Sequence, residues 1–135
     1  MQNKTNVVII DDHFFVLMTT KQMLNLCSPN INVLTYQNPE KFIKDVESNY
    51  LDVPQLIICD YNMPEMNGLD VHDALKVFLK KDQINPCFYL VSAEDKLNLL
   101  ADKFESDFFS GYHQKPLRFE KLKKLVNRSL VNATS

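Results

Sequence analysis

The chain has 135 residues, 45% of them apolar and 24% charged, which suits one compact domain with a real core and leaves too little for a separate output module. The formal charge of −2 lacks the basic excess that neutralises nucleic-acid phosphates. The longest apolar runs, Val7 to Ile10 and Phe14 to Met18, fall far short of the ~20 residues of a membrane span. Direct nucleic-acid binding and membrane insertion are therefore not expected, and the polar start MQNKTN does not read as a secretory leader, so the cytoplasm is the expected address.

Val7 to Asp11 is an apolar run ending in acid and reads as the first strand. Helical spacing follows from Phe14 to Cys27 through Leu17, Thr20 and Leu24, and Ser28-Pro29-Asn30 closes that helix. Ile31 to Tyr36 reads as a second strand, with Ile31, Val33 and Thr35 on one face and Leu34 and Tyr36 on the other. Asn38-Pro39-Glu40 is a helix start, an N-cap followed by proline and a first-turn acid; Phe42, Ile43 and Val46 supply the buried side. After the loop 49 to 54, LIICD at 56 to 60 is a buried strand that delivers Asp60 to an edge where Asn62, Pro64 and Gly68 turn the chain.

Leu69, His72, Leu75 and Leu79 mark a third helix, with Val71 and Phe78 alongside. Cys87 to Ser92 is a fourth strand, Asp95 to Phe104 a fourth helix, and Phe109 to Gln114 a fifth strand interrupted at Ser110-Gly111. Phe119, Leu122, Leu125, Val126 and Leu130 carry the last helix, with Lys121, Lys123 and Lys124 on its solvated side. Cys27, Cys59 and Cys87 have no metal-finger spacing and read as small buried hydrophobes in a reducing compartment.

Alternation of strands and helices implies an α/β fold, a doubly wound five-stranded parallel sheet, because parallel neighbours need helical crossovers. Ligands of such sheets bind at the carboxyl ends of the strands. The residues there are Asp11 and Asp12, Asp60, Ser92, and Lys115 before Pro116. Three crowded carboxylates must share protons or hold a cation. Hard oxygen donors suit Mg2+, which keeps several waters and takes one or two protein carboxylates plus a phosphate oxygen.

IIDDH at 9 to 13, DYNMP at 60 to 64, SAE at 92 to 94 and YHQKP at 112 to 116 together resemble the receiver domain of two-component response regulators, over nearly the whole chain. The resemblance implies a flavodoxin-like receiver fold with strand order 2-1-3-4-5, the order long described for chemotaxis receivers, in a single domain spanning 1–135. It implies that Asp60 is the phosphoacceptor, taking a phosphoryl group from a phosphohistidine. Asp11, Asp12, Asp60 and the backbone carbonyl of Asn62 would hold Mg2+, and Lys115 would offset further charge. Ser92 and Tyr112 would be the switch pair; Asn62 and Glu94 would set how long the phosphoryl group survives. Such a domain is no conventional enzyme, although it catalyses its own phosphorylation and dephosphorylation. The implied partners are a sensor histidine kinase or histidine phosphotransfer protein and a downstream protein target. The apolar fourth-helix and fifth-strand face leaves room for phosphorylation-linked dimerisation.

Simpler roles stand beside these. Asp60 alone could cap a turn, Asp11 and Asp12 could cap the first helix, Ser92 could start a helix, and Lys115 could be a snorkelling surface amine. His13 reads as solvent-facing rather than as a phosphate or metal sensor, His72 as core or boundary, and His113 as the outward neighbour of Tyr112. Phe14, Phe15 and Met18 cannot all face the core, which leaves an apolar patch suited to docking a kinase or phosphotransfer domain. ESDFFSGYHQK departs from the short Gly-Ala approach usual in the family. The competing functions are a receiver-like interaction module that is not phosphorylated; an aspartate-nucleophile phosphatase, which would want an acid where Asn62 stands; and a flavodoxin-like redox protein, which would want a hydroxyl- and glycine-rich phosphate loop where DDHFF stands.

Overall fold

The computed structural model describes residues 4–79, 85–94 and 103–134. Its elements are β1 (Thr5–Ile10), α1 (Phe14–Cys27), β2 (Ile31–Tyr36), α2 (Pro39–Glu47), β3 (Leu56–Asp60), α3 (Gly68–Phe78), β4 (Cys87–Ser92), β5 (Phe109–Gln114) and α4 (Phe119–Thr134). The expected helix from 95 to 104 lies outside the described residues apart from its last two positions. β1 begins two residues earlier than its apolar run and stops at Ile10, so Asp11 sits just beyond the strand.

All five strands run parallel in the order β2-β1-β3-β4-β5. Strand alternation sorts the core into two layers. Val7, Ile9, Ile58, Tyr89 and Val91 face Leu17 and Leu24 of α1 and Leu122, Leu125 and Val126 of α4. Val8, Ile10, Ile57, Cys59, Phe88 and Leu90 face Phe42 and Val46 of α2 and Val71 and Leu75 of α3. Each of these buried aliphatic or aromatic side chains contributes about 1.5–3 kcal/mol over an exposed one. Ile43, Phe119 and Leu130, expected in the core, are only half-buried.

Local chemistry fixes the helix starts. Asn38 accepts the Glu40 N–H at 2.9 Å with Pro39 at the first helical position of α2. Asn67 and Asp70 form a reciprocal capping box on α3. Gly68 opens α3 where no side chain fits: a Cβ there would lie 2.2 Å from Leu90 Cδ1 and 3.2 Å from the Asp60 carbonyl oxygen. Its N–H donates to the Tyr61 carbonyl, so the helix begins hard against the end of β3.

The Ser110-Gly111 pair does not break β5. Pairing slips instead: Phe88 sits opposite Phe109 and Tyr89 opposite Gly111, which leaves Ser110 as the extra residue. Its Oγ accepts the Phe88 N–H at 3.2 Å and donates to the Phe108 carbonyl. Gly111 takes a positive φ of 138°, which a side chain would resist. One expectation is corrected in this strand. His113 does not point outward; it is half-buried with its ring 5.4 Å from that of Tyr89, while Tyr112 is the exposed neighbour. Alternation from Gly111, which abuts Tyr89, puts His113 on the inner face.

Among the described residues no helix is long and apolar enough to cross a membrane.

Candidate functional site

The register of the central strands builds the site. Ile10 pairs with Cys59, so the next residues, Asp11 and Asp60, emerge side by side at the carboxyl edge. Both carboxylates are buried, at 3% and 4% exposure. Lys115, at the end of β5, crosses to them: its Nζ lies 2.7 Å from Asp11 Oδ2 and 3.3 Å from Asp60 Oδ1. That contact excludes a snorkelling surface amine. The Lys115 N–H also donates to the Ser92 carbonyl, tying the end of β5 to the end of β4.

Electrostatics here are finely opposed. Burial, then the Asp11 charge, push Asp60 up to about 6, against the pull of Lys115 and of an Asn62 backbone hydrogen bond. Burial works against the Lys115 ammonium, yet the hydrogen bond and charge of Asp11, with Asp60 behind them, hold its pKa above the ordinary lysine value. Burial and the same two acids push the Cys59 thiol well up, so it packs as a neutral hydrophobe, as expected.

Asp11 caps a turn rather than the helix. Its Oδ1 accepts the His13 N–H at 2.9 Å, and His13, the N-cap of α1, makes no side-chain cap. Ser92 is fully buried; its Oγ accepts the Glu94 N–H at 3.1 Å and lies 3.4 Å from Asn62 Nδ2. Asn62 and Glu94 are thus both linked to Ser92, Glu94 through its backbone. Tyr112 lies on the open side of β5, 37% exposed.

One ligand atom from each of Asp11, Asp12, His13 and Asp60 falls within 4.8 Å of the others. Asp12 Oδ1 is buried without a hydrogen bond among the described residues. Three carboxylates gathered at one edge, one of whose buried oxygens has only the His13 imidazole beside it, form a donor set suited to a hard cation. His13 is the member that sequence reasoning undervalued: its side chain is 67% exposed, as expected of a helix start, and its Nδ1 still reaches both neighbouring acids. Its place directly after the acid pair was the signal.

Behind the acids a cavity of about 210 Å3 opens between α1 and the chain after β5, lined by Val16, Thr20, Met23, Val91, Lys115 and Leu117 among others. At the start of α1, Phe14 and Phe15 are 53% and 82% exposed, with their rings 6.0 Å apart, while Met18 packs partly on the core. His72 is indeed core: it is fully buried on α3 and stacks on Phe108 at 4.7 Å.

A doubly wound parallel sheet with acids, a hydroxyl and an amine converging at its carboxyl edge defines a receiver-type signalling domain. The family model for the response regulator receiver domain matches residues 7–127, and the chain belongs to that family, whose members act in two-component systems. The nitrate/nitrite response regulator protein NarL of Escherichia coli strain K12 is 40% identical over 76 residues, which are 56% of this chain and 33% of that protein. The chain thus spans about a third of the curated relatives it matches. Among solved structures, a two-component response regulator from Cytophaga hutchinsonii superposes with a TM-score of 0.79 at 23% identity, covering 96% of this chain and 98% of that one. A response regulator receiver domain from Clostridium thermocellum gives 0.75 at 20% identity, covering 96% and 97%. The receiver domain of the NarL regulator from Mycobacterium tuberculosis gives 0.73 at 22%, covering 93% and 95%. At such identities these structures establish the fold.

Proposed function

We propose that this domain accepts a phosphoryl group from a phosphohistidine onto Asp60 and uses it to switch a protein-binding surface. The observation that carries the reading is the bridge of Lys115 to Asp11 and Asp60 at one strand edge, with Ser92 at the end of the next strand. In the step, an Asp60 oxygen forms the O–P bond as the P–N bond to the donor imidazole breaks. The electron pair returns to that nitrogen, which takes a proton from solvent. The Lys115 ammonium offsets charge on the phosphoryl oxygens, and no side chain needs to act as a general base.

Asp11, Asp12, Asp60 and the Asn62 carbonyl would hold Mg2+, which supplies further charge neutralisation when bound. Ser92 Oγ, already turned toward the Asn62 side chain, would donate to the phosphoryl group and draw the 92–94 turn inward. Tyr112 would then change rotamer on the open side of β5, so that phosphorylation biases a two-state surface. Asn62 and Glu94 would tune how long the group survives. A sensor histidine kinase or phosphotransfer domain would dock over Phe14 and Phe15, and a downstream protein would read the switched face.

The test is incubation with Mg2+ and a small phosphodonor, comparing wild type with Asp60→Asn. A Mg2+-dependent, acid-labile adduct in wild type alone is the expected result. No adduct from small donors or from candidate kinases would favour a receiver-like interaction module that is not phosphorylated.

A further inference from the structure

His13 stands inside the acidic cluster even though its ring is mostly open to solvent. Its Nδ1 lies 3.2 Å from Asp11 Oδ1 and 3.2 Å from Asp12 Oδ1. Lys115 takes the other oxygen, Asp11 Oδ2, so the amine and the imidazole approach that carboxylate from different sides. The backbone fixes this placement, because the His13 N–H is held by Asp11 Oδ1. The ring itself caps nothing on α1 and can turn without cost to the helix.

The spacing fits one shared ion. Donors on opposite sides of an ion, each at about 2.1 Å, stand about 4.2 Å apart. The four ligand atoms lie within 4.8 Å of one another, a small side-chain adjustment away, and the buried Asp12 Oδ1 has only the His13 imidazole near it among the described residues.

An imidazole nitrogen changes which ion such a site prefers. Mg2+ takes oxygen donors and keeps its waters, whereas Co2+, Ni2+ and Zn2+ accept imidazole readily. We propose that His13 is a further protein ligand of the cation site at the strand ends, and that it raises the preference of the site for imidazole-accepting transition ions over Mg2+. This rests on the reading of Asp11, Asp12 and Asp60 as a cation site. Each carboxylate keeps its place in that reading; His13 adds the nitrogen that an all-oxygen site lacks.

Calorimetric titration of the full chain with MgCl2 and with CoCl2, at one fixed pH of about 8, tests the idea in wild type, His13→Ala and Asp11→Asn. His13 is exposed, so the alanine variant should keep the wild-type circular dichroism. The expected result is a loss of Co2+ affinity of at least about tenfold in His13→Ala, with Mg2+ affinity nearly unchanged. The Co2+ absorption bands should shift in the same variant, reporting loss of a nitrogen donor. Equal losses for both ions, an unchanged Co2+ affinity, or Co2+ binding that survives Asp11→Asn would overturn the proposal. Mg2+ binding indifferent to Asp11→Asn would instead sink the cation-site reading on which it stands.

Discussion

His72 Nε2 lies 2.6 Å from Ser106 Oγ, a bond that ties α3 to the segment leading into β5. The other ring nitrogen, Nδ1, is 3.0 Å from Asp73 Oδ1, and the ring is boxed by Phe88, Phe104, Phe108 and Phe109. Ser106 Oγ also accepts the Phe109 N–H at 3.1 Å, so one hydroxyl organises the approach to β5. His72→Ala, which empties a box of aromatic rings, should cost about 3 kcal/mol. Ser106→Ala should cost about 1 kcal/mol. Urea midpoints measure both, and costs of equal size would contradict the assignment of packing to one residue and a hydrogen bond to the other.

Asp60 makes the fold pH-sensitive in a definite direction. Its folded pKa of about 6 stands above the ordinary 3.8, so the folded protein binds more protons than the unfolded chain between those values. Stability from this group is full below the ordinary value and is lost as pH rises through about 6. With chelator present, Asp60→Asn should therefore be more stable than wild type at neutral pH by on the order of 2 kcal/mol. The gap should close near pH 4, which unfolding curves at the two pH values would reveal.

Lys115→Met should act in the opposite sense. It leaves Asp11 and Asp60 buried without their cation, which costs about 3 kcal/mol and raises the Asp60 carboxyl above its present value of about 6. Carboxyl NMR titration of the variant reads the second effect directly.

Gly68→Ala would put a methyl group into Leu90 and against the backbone of Asp60 and Tyr61. Moving Leu90 aside leaves the backbone crowding in place, so a loss of about 1–3 kcal/mol is expected. Because α3 starts against the residue after Asp60, the proposed phosphoacceptor, the variant should also accept phosphoryl groups more slowly. Wild-type stability together with a wild-type transfer rate would contradict this account of the glycine.

Asn62→Ala removes the amide that lies 3.4 Å from Ser92 Oγ, and Glu94→Ala removes a side chain whose own backbone N–H is held by the same hydroxyl. Each should change the decay rate of the phosphorylated protein, followed by release of inorganic phosphate. Decay indistinguishable from wild type in both would remove the lifetime role.

Much of this arrangement was legible in the residues. β3 and its terminal acid announce themselves because LIICD is buried on both faces and stops at a turn, and α2 does so because Asn38 and Pro39 spell its start. The strand-end rule then brings Asp11, Asp60, Ser92 and Lys115 together with no further information. The inner position of His113 was less visible, because it depends on the slip at Ser110, a tertiary event between β4 and β5 with no local signature. His13 was legible in part: its helix-start position gives the 67% exposure, while its place after the acid pair was a signal of the contact with both acids that the solvent-facing reading outweighed.

The two-sided burial of the central strands also restricts how such a sequence can change length. Inserting one residue within β3 would exchange Ile58 with Cys59 between the two layers and turn the terminal acid away from its neighbour on β1. Inherited insertions and deletions should therefore collect in stretches such as 49–54, on the rim remote from Asp60, where the chain can lengthen without shifting any rung of the sheet.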